Sequence, residues 1–121
     1  MTRINLIPPS ELSGPHLVAE YRELPRIFNL VRNRIQKGNT PKDCKIPDTY
    51  RLGAGHVTFF FNKLYFLAHR QKRLIQEMKN RGYSPSFGYP DISDIPAEWC
   101  NHYIPTEEAI SINKKRILER S

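Results

Sequence analysis

The clearest pattern in this sequence is a stripe of apolar side chains in its first third. The spacings of three and four that mark one helix face join Leu17, Tyr21, Leu24, Phe28, Val31 and Ile35. Ser13 and Gly14 followed by Pro15 form a helix start signal, because proline in the first turn removes no helix hydrogen bond. We therefore predict a helix over residues 15–37, closed by Gly38 and kinked where Pro25 removes a backbone donor.

Two further helices are predicted beyond a polar loop over residues 39–55. The second covers residues 56–81, ends at Gly82 and turns inward Phe60, Leu64, Leu67, Leu74 and Met78. The last has Thr106 as N-cap and acidic residues in its first turn, and it ends in the basic residues Lys114, Lys115, Arg116 and Arg120. Residues 93–99 are consistent with a single turn, and no strand pattern of convincing length appears. We expect an all-α fold, one domain over residues 1–121 with three helices around one core.

Composition and charge restrict the class of protein. The chain has 121 residues, of which 39% are hydrophobic and 26% charged, a balance typical of a globular domain. No apolar run approaches the roughly 20 residues of a membrane helix, and the N-terminus has no apolar signal segment, so we expect a cytoplasmic protein. The net charge of +7 fits either a solvated basic surface or a polyanion partner, most often nucleic acid.

The two cysteines, Cys44 and Cys100, form no CxxC pair and have no histidine at metal-ligand spacing. We interpret them as structural thiols of a reducing compartment. A zinc site needs about four clustered ligands. We therefore expect no metal and no cofactor.

The candidate chemistry lies near the N-terminus and in the first predicted helix. Arg22 and Arg26 share one helix face, with Glu23 between them. One interpretation is a solvated face on which Glu23 and Arg26 form an ordinary ion pair. The other is a carboxylate held among phosphate-binding guanidiniums. A small second residue usually means that Met1 is removed, which would leave Thr2 with a nucleophilic α-amine of pKa about 7.7–8.0.

Long stretches of the sequence resemble the phage-type pyrimidine-dimer DNA glycosylases, the endonuclease V family. The resemblance rests on residues 1–6, MTRINL, on His16-Leu17, and on residues 19–26, AEYRELPR. It continues in residues 52–60, LGAGHVTFF, in residues 91–96, DISDIP, and in residues 103–105, YIP. It covers nearly the whole chain, with about one deletion in the loop over residues 83–90.

The resemblance implies an activity, a fold and a set of site residues. The α-amine of Thr2 would be the nucleophile and Glu23 the catalytic carboxylate of a metal-free DNA glycosylase with AP-lyase activity. The DNA-binding positions would be Arg3, His16, Arg22, Arg26 and Arg116. The partner would be double-stranded DNA with a damaged base, sharply bent and with one base flipped out, and the protein would be a monomer. The family fold places three helices side by side, with the N-terminal segment threaded between the first and last.

Two departures from the family pattern bear on substrate specificity. Pro15 stands where the phage-type enzyme has a glutamine that contacts DNA, and the sequence ends at Ser121, before that enzyme's aromatic tail. The glycosylase and lyase chemistry is therefore a firmer expectation than specificity for cyclobutane dimers. The alternatives are an AP lyase, a glycosylase for another lesion such as a ring-opened purine, and a non-catalytic basic DNA-binding protein.

The remaining histidines and aromatic residues are interpreted as structural. His56, His69 and His102 are taken as helix-start or surface residues, and Trp99 and residues 59–61 as core. Three aromatic residues lie in a loop and could stack on bases, although we prefer the interpretation that they have no such role: Tyr83, Phe87 and Tyr89.

Overall fold

The computed structural model describes residues 2–120 and confirms the all-α class. Its α-helices are α1 (Gly14–Glu23), α2 (Pro25–Gln36), α3 (His56–Phe59), α4 (Leu64–Asn80) and α5 (Glu107–Glu119). Short 3-10 helices cover Pro9–Glu11, Pro41–Cys44 and Ala97–Trp99, the last within the predicted turn. Within the described residues there is no strand, only an isolated antiparallel bridge between Lys63 and Cys100.

The first predicted helix is two helices rather than one kinked helix. Leu24 separates α1 from α2, although its backbone angles are still helical, φ −54° and ψ −44°. Its N–H donates to the Glu20 carbonyl and closes α1, whereas Pro25 has no N–H with which to continue the ladder. The apolar stripe runs through the break: Leu17, Tyr21, Leu24, Phe28 and Val31 are buried.

The second predicted helix is also interrupted, which corrects the continuous helix expected over residues 56–81. α3 ends at Phe59, and a turn over residues 60–63 precedes α4. Phe59, Phe60 and Phe61 are all buried, with at most 5% of each exposed. Three consecutive helical side chains fan over about 200° of the helix surface, so one helix face cannot bury them all. Ending the helix here lets all three enter the core.

The predicted helix ends are confirmed. The Ser13 and Thr106 hydroxyls accept hydrogen bonds from the N–H groups of His16 and Ala109, respectively. Gly82 has φ +85°, and the next residue, Tyr83, donates its N–H to the Met78 carbonyl. This is the pattern of a helix terminated by a left-handed glycine.

The core lies where α1 and α4 pack against each other, and it includes the fully buried Trp99, as predicted. Cys44 and Cys100 are buried free thiols. Along residues 2–120, no helix is both long and apolar enough to cross a bilayer. The N-terminal arm, defined here as residues 2–8, hydrogen-bonds to α1 and α5, while its threading between two helices stays a prediction.

Candidate active site and DNA-binding surface

Side chains from distant parts of the chain hold the backbone of the N-terminal arm. The Ile4 N–H donates to His56 Nε2 at 2.9 Å, and the Tyr50 hydroxyl donates to the Ile4 carbonyl at 3.2 Å. The Leu6 N–H donates to Asn113 Oδ1 at 2.7 Å. Because successive peptide groups are held by side chains, the arm has a defined path although it is neither helix nor strand.

A buried polar network joins the same arm to α1 and α5. Asn5, 5% exposed, donates through Nδ2 to Glu20 Oε1 at 2.8 Å and accepts from Asn113 Nδ2, also at 2.8 Å. Arg70 forms an ion pair with Glu20 and also donates to the Ile7 carbonyl. Buried polar groups are costly unless paired, so this set of bonds strongly favours one position of the arm.

Arg3 lies among other charged side chains at the start of the arm. Burial is the main cause that lowers the pKa of its guanidinium, and the nearby positive charges of Arg116 and Arg120 lower it further. Tyr50 and Glu23 act on Arg3 in the opposite direction. Guanidiniums that repel one another beside a single carboxylate form a site suited to an anion such as a DNA phosphate.

A small cleft of about 70 Å³ connects the arm with α1 and α5. It is lined by Arg3, Asn5, His16, Ala19, Glu20 and Ile117. His16 and Arg3, which sequence reasoning placed in the same site, therefore share a cleft. Glu23 is half-buried at the C-terminal end of α1, close enough to Arg3 for its carboxylate to act on the pKa of the guanidinium in the raising direction.

Arg22 and Arg26 line a second cleft, at the junction of α1 and α2. Its volume is about 460 Å³, and its walls are Tyr21, Arg22, Pro25, Arg26, Asn29, Ser86 and Phe87. Both arginines are exposed. The ion pairs among the described residues do not include Glu23 with Arg26, so the ordinary surface pair considered from the sequence does not form. These guanidiniums therefore face solvent and are available to phosphates.

Comparison with protein families identifies the class of protein to which the chain belongs. A profile described as pyrimidine dimer DNA glycosylase matches residues 1–90. The match includes the arm, α1, α2, α3 and α4. The chain belongs to the pyrimidine dimer DNA glycosylase family. It is therefore a DNA glycosylase by family, with DNA as the substrate.

The family match covers most of the residues that sequence reasoning assigned to the site of this glycosylase, while their roles stay predictions. Six of them fall inside the match, namely Thr2, Arg3, His16, Arg22, Glu23 and Arg26, whereas Arg116 lies beyond it on α5. Arg116 is 3.7 Å from Glu119 and is also one of the charges that act on Arg3. The structure brings His16 into one cleft with Arg3, and Glu23 and Arg116 lie near enough to Arg3 to act on its pKa. Arg22 and Arg26 line the second cleft instead. The predicted loss of Met1 falls outside the described residues.

The loop after α4 carries exposed aromatic side chains, of which Phe87 lines the second cleft. Phe87 is 45% exposed and stacks on Tyr21, with 4.9 Å between ring centroids. Its N–H donates to the Tyr21 hydroxyl at 2.6 Å, which fixes the loop against α1. Tyr83 and Tyr89 are exposed as well, and stacking of these rings on bases stays a prediction.

Sequence reasoning missed the residues that hold the arm. His56 does begin α3, as predicted, but it is buried and bonded at both ring nitrogens rather than lying at the surface. His69 and His102 are exposed, as predicted. The sequence did contain a signal for one residue of the buried polar network. Glu20 lies on the buried stripe of α1, between Leu17 and Leu24, where an apolar residue is expected.

Proposed function

We propose that this protein is a DNA-repair glycosylase with AP-lyase activity. It excises damaged pyrimidines, and its main substrate is the cyclobutane pyrimidine dimer. Its nucleophile would be the α-amine of Thr2, exposed by removal of Met1. The observation that carries the proposal is the fixed path of the N-terminal arm, which places Arg3 beside Arg116 and within the influence of Glu23. A chain end held among phosphate-binding groups is suited to attack on the DNA backbone.

The first step displaces the damaged base. The amine lone pair attacks C1′ of the nucleotide, and the C1′–N bond breaks with its electron pair on the base, which takes up a proton. The attack needs the neutral form of the amine, which carries the free lone pair. Glu23 would stabilise the cationic sugar and relay protons.

The second step cuts the strand. The C1′–O4′ bond breaks, O4′ takes up a proton, and an iminium forms between C1′ and the Thr2 nitrogen. Loss of a C2′ proton, assisted by Glu23, then expels the 3′ phosphate with the electron pair of its C–O bond. Water hydrolyses the imine and returns the free amine.

The remaining site residues would bind the substrate. Arg3 and Arg116, which are close to each other, would hold phosphates beside the reacting sugar, and Arg22 and Arg26 would hold phosphates along the second cleft. His16 would line the site next to Arg3. Unstacking a base is easiest at a damaged step, which favours lesions over intact DNA. We expect a monomer that acts on double-stranded DNA in the cytoplasm.

The proposal is tested with end-labelled duplexes that differ in one nucleotide. One carries a cis-syn thymine dimer, one an abasic site, one a ring-opened purine, and one no damage. Strand cleavage is measured for each, with protein and with protein acetylated at its N-terminus as the matched control. Cleavage of the dimer and abasic duplexes that acetylation abolishes is the expected result.

The other outcomes separate the alternatives. Cleavage of the abasic duplex alone identifies an AP lyase, and preference for the ring-opened purine identifies a glycosylase of another specificity. Binding to all four duplexes without cleavage identifies a non-catalytic DNA-binding protein and contradicts the proposal.

A further inference from the structure

His56 lies under the N-terminal arm, well inside the protein. It is 5% exposed and is the first residue of α3. The residues before it form a turn in which Gly53 has φ +69° and Gly55 has φ +89°. Side chains rarely adopt such angles, and a Cβ on Gly55 would lie 3.2 Å from both Arg51 and Pro47. The turn thus needs glycine, and it brings the His56 ring back over the chain that precedes it.

The hydrogen bonds of the ring define its tautomer. His56 Nδ1 lies 2.8 Å from the Arg51 carbonyl oxygen, which can only accept, so Nδ1 carries the proton. His56 Nε2 is then an acceptor, and it receives the Ile4 N–H at 2.9 Å. The imidazole therefore links the loop before α3 to the arm in one orientation.

Tyr50 binds the other backbone polar group of Ile4, its carbonyl. Its hydroxyl donates to the Ile4 carbonyl, and its ring meets the His56 ring edge-on, with 5.4 Å between centroids. The Ile4 side chain is fully buried. Both backbone polar groups and the side chain of Ile4 are thus held, only two residues away from Thr2.

We propose that His56 and Tyr50 are positioning residues for the reaction, because by holding Ile4 they set the position and direction of the segment that carries the Thr2 amine. The proposal rests on the proposed function, since it takes that amine as the nucleophile. Two residues of chain reach about 7 Å, so a fixed Ile4 confines the amine to a small volume. Misplacement of a reacting group by about 1 Å can lower a rate by roughly a hundredfold.

The surroundings of His56 favour the neutral imidazole that this role needs. Burial is the main cause that lowers the pKa of His56, and the positive charge of Arg3 adds to it, while the bond to the Arg51 carbonyl acts in the opposite direction. The two rings that contact the imidazole, those of Tyr50 and Phe60, carry no charge. A neutral imidazole keeps Nε2 as an acceptor for Ile4.

Two substitutions at His56 separate positioning from packing. In His56→Asn the short amide can still donate to the Arg51 carbonyl but does not reach Ile4. In His56→Gln the longer amide brings its oxygen close to the place of Nε2. Tyr50→Phe, the second test position, keeps the ring and removes the hydroxyl. His102→Asn, at an exposed histidine, is the matched control.

The rate of borohydride trapping is measured on an abasic duplex with protein in excess, beside DNA affinity and hydrogen exchange at the Ile4 amide. We expect His56→Asn to trap at least about tenfold more slowly, with affinity changed less than about twofold and faster exchange at Ile4. His56→Gln should recover most of the rate, and Tyr50→Phe should lose rate without losing affinity. The last comparison tests the proposal even where His56→Asn does not fold.

Each result bears on one claim. If the wild-type protein traps DNA and both His56→Asn and Tyr50→Phe trap it as fast as the wild type, the positioning role is contradicted. The proposed function is then intact. Loss of affinity equal to the loss of rate also contradicts it, because the residues would then serve binding or folding. A wild-type protein that traps no DNA contradicts the proposed function, and the positioning role falls with it.

Discussion

Glu20 and Arg70 form an ion pair that is almost completely buried, with 2.7 Å between Glu20 Oε2 and Arg70 Nε. Their side chains are 1% and 2% exposed, respectively. The carboxylate also accepts from Asn5, and the guanidinium donates to the Ile7 carbonyl. The pair therefore joins α1 and α4 and, through its further bonds, supports the arm that carries the proposed nucleophile.

Removing one member of this pair should be strongly destabilising. Arg70→Met leaves the Glu20 carboxylate buried without its countercharge, and we expect the free energy of unfolding to fall by about 3–5 kcal/mol. Urea unfolding followed by circular dichroism measures the change. Asp94→Asn, which breaks the exposed pair of Asp94 with Arg32, is the control and should hardly move the midpoint. If the two substitutions lowered the free energy of unfolding equally, the buried pair would contribute no more to stability than the exposed pair.

Glu23 should be needed for chemistry and not for binding. Glu23→Gln keeps the shape of the side chain but removes the charge and the proton relay, so we expect excision to slow by about 10²–10⁴-fold while affinity for damaged duplex is kept. Single-turnover excision and fluorescence anisotropy measure the two quantities. Glu98→Gln, at an exposed carboxylate in another part of the chain, is the control. Undiminished excision by Glu23→Gln would remove Glu23 from the mechanism.

Arg22 and Arg26 should contribute to DNA affinity through phosphates. Each substitution by alanine should weaken binding to all duplexes and reduce the slope of log affinity against log salt by about 0.9, the value for one lost phosphate contact. Lys42→Ala removes the same charge from the exposed turn at Pro41–Cys44 and should leave the slope unchanged. Identical slopes for all three variants and wild type would mean that the second cleft does not bind DNA.

The neutral state of His56 should appear in the pH dependence of stability. Its pKa is lowered in the folded protein, so below the usual value of about 6.5 the unfolded chain binds a proton that the folded protein does not. Stability should therefore fall as the pH drops below about 6.5, and His56→Gln should show a smaller fall. Thermal unfolding at a series of pH values measures both. Parallel curves for the two proteins would contradict a buried neutral His56.

Local signals were enough to predict most of the helical segments of this fold but not their breaks. The apolar stripe from Leu17 to Val31 is buried as its spacing indicates, and the caps at Ser13 and Thr106 form the expected bonds. The break after Phe59 was not predicted, because a helix period describes one face at a time and does not show that three consecutive rings must all be buried.

The polar interior of the site could not be predicted, because its partners are far apart along the chain. Leu6 and Asn113 are separated by 107 positions, and Ile4 and His56 by 52. A pattern within one element shows that Glu20 is a polar residue on a buried face. Which group satisfies it depends on how α4 and the arm pack, and that is a property of the folded chain.

Locating the covalent bond within a trapped complex tests the central claim most directly. The protein is reduced with borohydride on the lesion-containing duplex and digested with a protease that cuts after glutamate, and the DNA-linked peptide is identified by mass spectrometry. The account predicts a link to the peptide of residues 2–11, at the Thr2 nitrogen. A link to a lysine elsewhere, for instance Lys63, or a linked peptide that still begins with Met1, would contradict it.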